Sequence, residues 1–201
     1  MIHMTVLERP RTTWRVVDIV VASVIAAACS VVFIAWAVAY QGPAALLTPV
    51  LPGLQGLVNG PWLFAGVLAG LVVRRPGAAI YAELVAAVIE ALVGNQWGVT
   101  TLVSGAVQGL GAELVFALLL YRRFGPGVAF LAGAGAGIGE TVVDLLLYYP
   151  GSTALFTVVY AASTVVSGAM FGFLSWLLVR ALARTGALSR FAAGRDAKRV
   201  G

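Results

Sequence analysis

Residues 101–148 read TLVSGAVQGLGAELVFALLLYRRFGPGVAFLAGAGAGIGETVVDLLLY. Two long apolar runs flank the basic turn Arg122-Arg123-Phe124-Gly125-Pro126-Gly127. A helix that crosses the hydrocarbon core of a bilayer needs about 20 mainly apolar residues, and each run is long enough. The segment therefore predicts two membrane-spanning helices that are joined by a basic turn.

The composition of the whole chain also indicates a membrane protein. Of its 201 residues, 61% are hydrophobic and 10% are charged, and the mean hydropathy is +0.97. A soluble domain is about 45–50% apolar and roughly 25% charged, and disorder needs low hydrophobicity and high charge. The net charge of +5 does not indicate nucleic-acid binding, because the basic residues stand between apolar runs. The sequence predicts an all-α integral membrane protein.

Six stretches are predicted to span the membrane, and the basic residues give their orientation. The spans are residues 16–39, 55–73, 77–93, 101–121, 127–148 and 154–180. All 13 Arg and Lys residues precede the first span, follow the second or fourth, or lie at or beyond the end of the sixth. They therefore share one side, and the positive-inside rule makes both termini cytoplasmic. The predicted parts are a cytoplasmic tail 1–15, a six-helix transmembrane domain 16–183 and a basic tail 184–201 near anionic lipid.

Cysteine and histidine each occur once, which excludes several kinds of site. Cys29 has no partner for a disulfide within the chain, and His3 lies in the N-terminal tail. A zinc protease, a haem protein or a His-based acid–base enzyme would need more ligands or bases. The Gly-rich run 133–139 lacks the spacing of a nucleotide-binding loop and is predicted to pack helices. We expect no cofactor, no metal and no enzymatic activity, and any ATP-driven role would need partner subunits.

Acidic residues, unlike basic ones, occur inside the predicted spans. They are Glu83, Glu90, Glu113, Glu140 and Asp144. A charged group in the hydrocarbon region costs about 3 kcal/mol even on insertion scales, so such groups normally face a cavity or a partner. Hydrogen bonding between helices in the protonated form is the alternative for each of them, above all for Glu83 and Glu113.

Helix rise places several polar and aromatic groups at one depth. At about 1.5 Å per residue, Glu90 and Glu140 lie roughly 20 Å from their cytoplasmic turns. Gln108 and Trp62 lie about 21 and 18 Å from their own cytoplasmic turns. Asp144 shares a helix face with Glu140. This predicts an outward-open pocket for a small aromatic cation, held by carboxylates, cation–π contacts and amides. Its candidate residues are Trp36, Trp62, Glu90, Asn95, Gln96, Trp97, Gln108, Glu140, Asp144 and Tyr148.

The aromatic residues near the outer ends of the spans have a second interpretation. Trp and Tyr collect at both membrane surfaces, so Trp36, Tyr40 and Tyr148 could form an interfacial belt instead of a pocket. The uncharged loop 40–54 contains three prolines and is the longest predicted outer loop. That it closes over the pocket as a lid is a hypothesis.

Four strings of residues carry a resemblance to a known family. They are Gly60-Pro61-Trp62-Leu63, Arg75-Pro76-Gly77-Ala78-Ala79, the segment from Glu83 through Glu90 with Gly94-Asn95-Gln96-Trp97-Gly98, and Gln108-Gly109-Leu110-Gly111-Ala112-Glu113-Leu114. With six short helices, Ala22-x-x-x-Ala26 in the first and no ATPase motif, the chain resembles the S component of an energy-coupling factor (ECF) vitamin transporter. More specifically, it resembles the YkoE type, which is assigned to thiamine or its hydroxymethylpyrimidine precursor.

The resemblance implies a multi-pass protein of a prokaryotic plasma membrane that captures a vitamin from outside. An S component docks on a transmembrane scaffold subunit that bears two cytoplasmic ATPases, and Ala22 and Ala26 are expected at that contact. It is thought to topple in the membrane and so to carry its substrate inward. The family's pocket residues transfer loosely onto Glu90, Trp97, Gln108 and Glu140.

Two alternatives stay open. The first is an S component or related importer for another vitamin or small cation. The second is a small proton-coupled secondary carrier in which Glu90, Glu140 and Asp144 form a relay. The carrier would respond to pH and membrane potential without ATP, whereas an S component would depend on ATPase partners.

Overall fold

The chain folds as a bundle of α-helices. The computed structural model describes residues 13–199, with the side chains of residues 13–195. Arg9, Arg11 and most of the predicted tail 1–15 lie outside the described residues. Within the described range, α1 to α4 span Val16–Ala39, Gln41–Leu47, Ala65–Val73 and Ala78–Val93, and α5 to α8 span Thr100–Leu118, Pro126–Leu147, Ala154–Arg184 and Ala192–Arg199.

Four of these helices are long and apolar enough to cross a membrane, namely α1, α5, α6 and α7. They match four of the predicted spans closely. Helix α4 has 16 residues and matches the short third span, and α3 is an apolar helix of nine residues. The all-α membrane fold is confirmed, while the count of six crossing segments stays a prediction.

The second predicted span, residues 55–73, is not one continuous helix. Its first half forms two short 3₁₀ helices, Leu54–Val58 and Gly60–Trp62, and α3 begins only at Ala65. The ring nitrogen of Pro61 has no hydrogen to donate, so a regular α-helical hydrogen bond cannot form there. The expectation that this stretch is helical throughout is therefore wrong.

Helix α7 holds residues 54–62, here called the 3₁₀ segment, in place. The hydroxyl of Ser167 accepts a hydrogen bond from the backbone N–H of Gly60 at 2.9 Å, and the hydroxyl of Ser163 donates to the carbonyl of Gly53 at 2.8 Å. Gly53 has a φ of 97°, a conformation that favours glycine. At membrane depth, irregular backbone is tolerated where protein groups satisfy it, and serines of α7 supply these partners.

Glycines bring α5, α6 and α7 into backbone contact. A Cβ atom at Gly133 of α6 would collide with the carbonyl of Gly168 on α7, and one at Gly135 would collide with the carbonyl of Gly111 on α5. Helices in lipid associate through such close approach, because little hydrophobic force acts between them. The prediction that the run 133–139 packs helices is confirmed.

Polar contacts fasten α1 to the α3–α4 turn and to α4. The indole Nε1 of Trp14 donates to the carbonyl of Pro76 at 2.8 Å, and the hydroxyls of Ser23 and Tyr81 are 2.7 Å apart. The first of these contacts lies just before α1 and the second about two turns into it. Together they fix the register of α1 against its neighbours.

Asp18 forms a buried ion pair at the start of α1. Its carboxylate lies 2.6 Å from Arg15 Nη2 and 3.1 Å from Arg75 Nε, and it also accepts the backbone N–H of Arg15 at 3.0 Å. The Asp18 side chain is fully buried, and that of Arg75 is 9% exposed. Asp18 therefore caps α1 and also binds it to the turn between α3 and α4.

The two faces of α1 differ sharply in accessibility. Ala22 and Ala26 are both 0% exposed and belong to the same apolar cluster as residues of α3 and α4. Val20, Val24 and Val31 are exposed on the outer face. In this conformation the small-residue face of α1 thus packs inside the chain itself.

The basic turns lie together at one end of the bundle. Arg74, Arg122 and Arg180, from the ends of three different helices, line one pocket there. Arg75 lies in the same turn as Arg74 and pairs with the start of α1. This agrees with the prediction that the basic residues share one side.

Candidate functional site

A polar cavity opens at the other end of the bundle, away from the basic turns. It contains about 590 Å³ of empty space, counting the part that is open to solvent. The carboxyl ends of α1, α4 and α6 and the amino ends of α5 and α7 contribute to its wall, together with the 3₁₀ segment. Its lining combines aromatic rings with a few polar side chains that point to one space, which is typical of a site for a small molecule.

One side of the cavity carries two acids on successive turns of α6. Gln108 Nε2 on α5 donates a hydrogen bond to Glu140. The hydroxyl of Tyr160 on α7 donates to Asp144, and Asn59 Nδ2 lies 3.4 Å from the same carboxylate oxygen. The two acids are thus oriented by neutral donors from three other segments. Their placement on one face follows from their spacing of four residues.

The other side carries an acid against a group of aromatic rings. Trp62 Nε1 lies 3.3 Å from Glu90 Oε1. The rings of Tyr40, Trp62 and Trp97, here called the aromatic trio, have centroids 5.2 to 5.6 Å apart in tilted or edge-to-face arrangements. Such a group offers flat surfaces on which a heteroaromatic ring can stack and negative faces that attract a cation.

The charges around the cavity are all of one sign. Three carboxyl groups line it, and no Arg, Lys or His is among the described residues that do so. Burying an unpaired carboxylate is costly, so a bound cation would relieve part of that cost. The geometry favours a cationic or proton-bearing ligand.

Tyr149, in the turn between α6 and α7, also lines the cavity. Burial raises the pKa of its phenol above the ordinary value, and the nearby charge of Asp144 acts in the same direction. The phenol therefore stays protonated near neutral pH and can donate a hydrogen bond into the cavity.

Most of the predicted site residues line this one cavity. Their side chains come from the 3₁₀ segment, from α4, α5 and the end of α6, and from the α4–α5 turn. The predicted residues in its lining are Trp62, Glu90, Trp97, Gln108, Glu140, Asp144 and Tyr148.

Three predicted residues lie outside the lining. Trp36 donates from Nε1 to the carbonyl of Val58 at 2.8 Å and so supports the 3₁₀ segment from behind. The side chain of Asn95 accepts two backbone N–H groups of its own turn. Gln96 is exposed and accepts a hydrogen bond from Gln41 of α2 at 2.7 Å. Helix α2 belongs to the predicted lid loop 40–54, so this contact places part of that loop beside the turn that carries Trp97.

Sequence reasoning missed several residues that the structure brings into the cavity. Asn59, Tyr149 and Tyr160 all line it. One signal was present, since Tyr160, Thr164 and Ser167 recur at positions i, i+4 and i+7 of an apolar helix and so mark a polar stripe. No comparable periodicity marks Asn59, because its neighbours do not form an α-helix.

Fold and site together define an integral membrane protein with a polar cavity for a small molecule at one end of its helical bundle. A sequence model of the family described as "ABC-type cobalt transport system, permease component" matches residues 17–139. The putative HMP/thiamine permease protein YkoE of Bacillus subtilis (strain 168) is 33% identical over 193 residues, which cover 93% of this chain and 94% of the relative. A crystal structure of an S-component of an ECF transporter superposes with a TM-score of 0.83 at 31% identity, covering 93% of this chain and 94% of that one.

The chain belongs to this permease family and is a YkoE-type S component of an ECF transporter, the substrate-binding membrane subunit. It is a transporter subunit and not an enzyme. The assignment favours an ATP-driven importer over the proton-coupled carrier that the intramembrane acids also allowed.

Proposed function

We propose that the cavity captures thiamine or its hydroxymethylpyrimidine precursor from outside the cell for delivery inward. The observation that carries the proposal is the combination of three buried carboxyl groups with the aromatic trio in one cavity, whose described lining includes no basic residue. Thiamine is a cation with two heteroaromatic rings, so it can use both features. The name of the Bacillus subtilis relative, which refers to HMP and thiamine, supports the same choice.

The two sides of the cavity suggest different roles. Glu90 lies against the aromatic trio through Trp62, so this side is proposed to hold the cationic ring by charge and stacking. Gln108 and Asn59 lie beside the acids of α6, where an amide and a carboxyl group can bind the heteroatoms of an aminopyrimidine. A neutral pyrimidine alone would depend mainly on this second side and on stacking.

The wider assembly is proposed on the same basis. The chain would cross the plasma membrane of a prokaryote six times with both termini in the cytoplasm, and it would work with a scaffold subunit and two ATPase subunits. The clustering of arginines at the end opposite the cavity supports this orientation. Contact of the scaffold with Ala22 and Ala26 stays a prediction that requires α1 to move, because both side chains are buried in the bundle.

The direct test is ligand binding to the purified full chain, followed by tryptophan fluorescence, with thiamine, hydroxymethylpyrimidine and a panel of other vitamins. We expect Glu90→Gln to weaken thiamine binding at least tenfold, which corresponds to about 1.4 kcal/mol. The same change should weaken hydroxymethylpyrimidine much less, because that ligand is neutral. Trp97→Ala should weaken both ligands, since it removes a stacking surface.

Gln96→Ala is the matched control, because Gln96 is adjacent to Trp97 and exposed but does not line the cavity. Its affinity for both ligands should stay within twofold of the parent. If the folded protein bound neither compound, the proposed substrate would be wrong. Unchanged thiamine affinity in Glu90→Gln would refute the charge-pairing role while leaving the substrate intact.

A further inference from the structure

A second pocket lies at the opposite end of the bundle, and we call it the basic pocket. Arg74, Arg122 and Arg180 line it together with Phe124 and Trp176. It contains about 920 Å³ of empty space, counting the part that is open to solvent. The three arginines come from the end of α3, the turn after α5 and the last turns of α7. The fold therefore gathers charges that are far apart in the sequence.

Aromatic rings hold two of the guanidinium groups. The guanidinium carbon of Arg74 lies 4.6 Å from the centre of the Phe124 ring, and that of Arg180 lies 5.0 Å from the centre of the Trp176 ring. A guanidinium stacked on a ring can still donate hydrogen bonds from its edge, as Arg74 does from Nε to the carbonyl of Leu71 at 3.1 Å. Arg122 is exposed at the rim. None of the described residues that line the basic pocket is acidic.

The start of α6 adds to this positive field. The helix begins at Pro126, which lines the basic pocket, and no side chain among the described residues caps its first turn. The N-terminal end of a helix carries a partial positive charge and unpaired N–H groups. Together with the arginines it favours an anion with several acceptor oxygens, as a phosphate group has.

The wall of the basic pocket continues into an apolar surface. Phe173 and Leu177 lie on the same side of α7 as Arg180, and both are exposed, as is Phe130 on the next turns of α6. The Phe173 ring stacks on that of Trp176, with centroids 5.8 Å apart. A ligand that joins a phosphate group to an alkyl chain would match both parts, and a free phosphate would match only the first.

We propose that the basic pocket binds the phosphate headgroup of an anionic phospholipid, whose acyl chains lie against α6 and α7. Basic pockets between helices at a membrane surface are suited to such headgroups. The bound lipid would hold the ends of α3, α5 and α7 together at the end of the bundle opposite the cavity. The proposal depends neither on the substrate nor on which side of the membrane this end faces.

Native mass spectrometry of the full chain in a mixture of phosphatidylglycerol and phosphatidylcholine tests the proposal. We expect the parent to retain phosphatidylglycerol at least tenfold more than phosphatidylcholine. Arg122→Gln with Arg180→Gln should abolish that preference. Arg123→Gln with Arg184→Gln removes the same charge from residues that do not line the pocket, and it should keep the preference.

Three outcomes would overturn the proposal. Equal retention of phosphatidylglycerol in the two double variants would show that total charge alone attracts the lipid. Displacement of the lipid by millimolar inorganic phosphate would show that the site takes a soluble anion. Unchanged lipid retention with loss of scaffold binding in the pocket variant would assign the arginines to a protein partner.

A second measurement does not depend on the arginine variants. Brominated phosphatidylglycerol should quench the fluorescence of Trp176, so the parent should lose more signal than Trp176→Phe. Brominated phosphatidylcholine should quench the two proteins equally. Equal quenching of both proteins by brominated phosphatidylglycerol would also refute the proposed position of the lipid.

Discussion

Glu113 shows how an acid inside a membrane bundle can have a structural role. Its carboxylate accepts hydrogen bonds from the backbone N–H groups of Gly77 at 2.7 Å and Ala79 at 2.9 Å, and from the hydroxyl of Tyr121 at 2.7 Å. The first two of these donors lie at the start of α4, where N–H groups have no partner within the helix. Glu113 therefore caps α4 from α5 and makes hydrogen bonds between helices, as one of its two interpretations expected.

Removing these bonds one set at a time should give graded losses of stability. Tyr121→Phe deletes one hydrogen bond and is expected to cost about 1 kcal/mol of unfolding free energy. Glu113→Ala leaves two N–H groups without an acceptor and should cost roughly 2–4 kcal/mol. Denaturant unfolding in detergent, followed by tryptophan fluorescence, measures both.

Ligand affinity serves as the control for this pair, because neither residue lines the cavity. Both variants should bind the substrate as the parent does at temperatures where they are folded. A stability loss for Glu113→Ala no greater than that for Tyr121→Phe would contradict the capping role.

The depth argument selected three of the five intramembrane acids for the pocket, but the sequence could not show what the other two bind. Glu90, Glu140 and Asp144 face the cavity, whereas Glu113 binds backbone N–H groups and Glu83 accepts the N–H of Gly66. All five share the same kind of apolar surroundings in the sequence. Their roles depend on which backbone crosses beside them, and that is fixed only by the packing of the helices.

At the level of elements, regular helices were predictable and the irregular segment was not. Counting 1.5 Å per residue put Glu90, Gln108 and Glu140 at one level, and all three line one cavity because α4, α5 and α6 are continuous helices. The 3₁₀ segment depends on hydrogen bonds with Ser163 and Ser167, about 110 residues away. Contacts at that separation leave no local periodicity, so the position of Asn59 could not be read from its neighbours.

The contact between α6 and α7 should be sensitive to a single methyl group. In Gly133→Ala the added Cβ would overlap the carbonyl of Gly168, so the helices must separate or shift. Overpacking of this kind costs about 1–3 kcal/mol. Thermal unfolding in detergent should show the loss as a lower midpoint.

Gly127→Ala is the matched control in the same helix. A Cβ atom at Gly127 meets no atom within 4 Å, and its φ is not in the left-handed region. Alanine is the better helix former by up to about 1 kcal/mol, so this variant should be as stable as the parent or slightly more stable. If Gly133→Ala were equally harmless, the two helices would not be in the close contact described.

At the scale of the whole molecule, α1 is held to the rest of the bundle by few polar contacts. The largest is the pairing of Asp18 with Arg75, supported by Trp14 on the Pro76 carbonyl. The apolar contact of α1 with α4 relies on small side chains such as Ala22 and Ala26. The polar contacts therefore fix the position of α1 along α4.

Breaking that ion pair should destabilise the whole fold. Arg75→Gln leaves the buried Asp18 carboxylate with Arg15 as its charged partner, and we expect a loss of about 3 kcal/mol, at the lower end for a broken buried pair. Arg123→Gln is the control, because Arg123 is an exposed arginine of the other basic turn. Its unfolding free energy should change by less than about 0.5 kcal/mol.

Denaturant unfolding of the two variants under identical detergent conditions measures the difference in their unfolding free energies. Equal stability of Arg75→Gln and Arg123→Gln would mean that the pair of Asp18 with Arg75 adds nothing to the fold. The unfolding transition of Arg75→Gln should also shift without a change in slope, if α1 unfolds with the rest of the bundle.

The acidic lining of the cavity limits which ligands the protein can bind. A phosphate ester of the proposed vitamin would carry extra negative charge into a space lined by Glu90, Glu140 and Asp144, and none of the described lining residues is an arginine or lysine that could receive it. Like charges at such short range repel strongly where water is scarce. If the proposed substrate is correct, the cavity would therefore admit the free vitamin and reject its phosphorylated forms, so that phosphorylation would have to follow uptake.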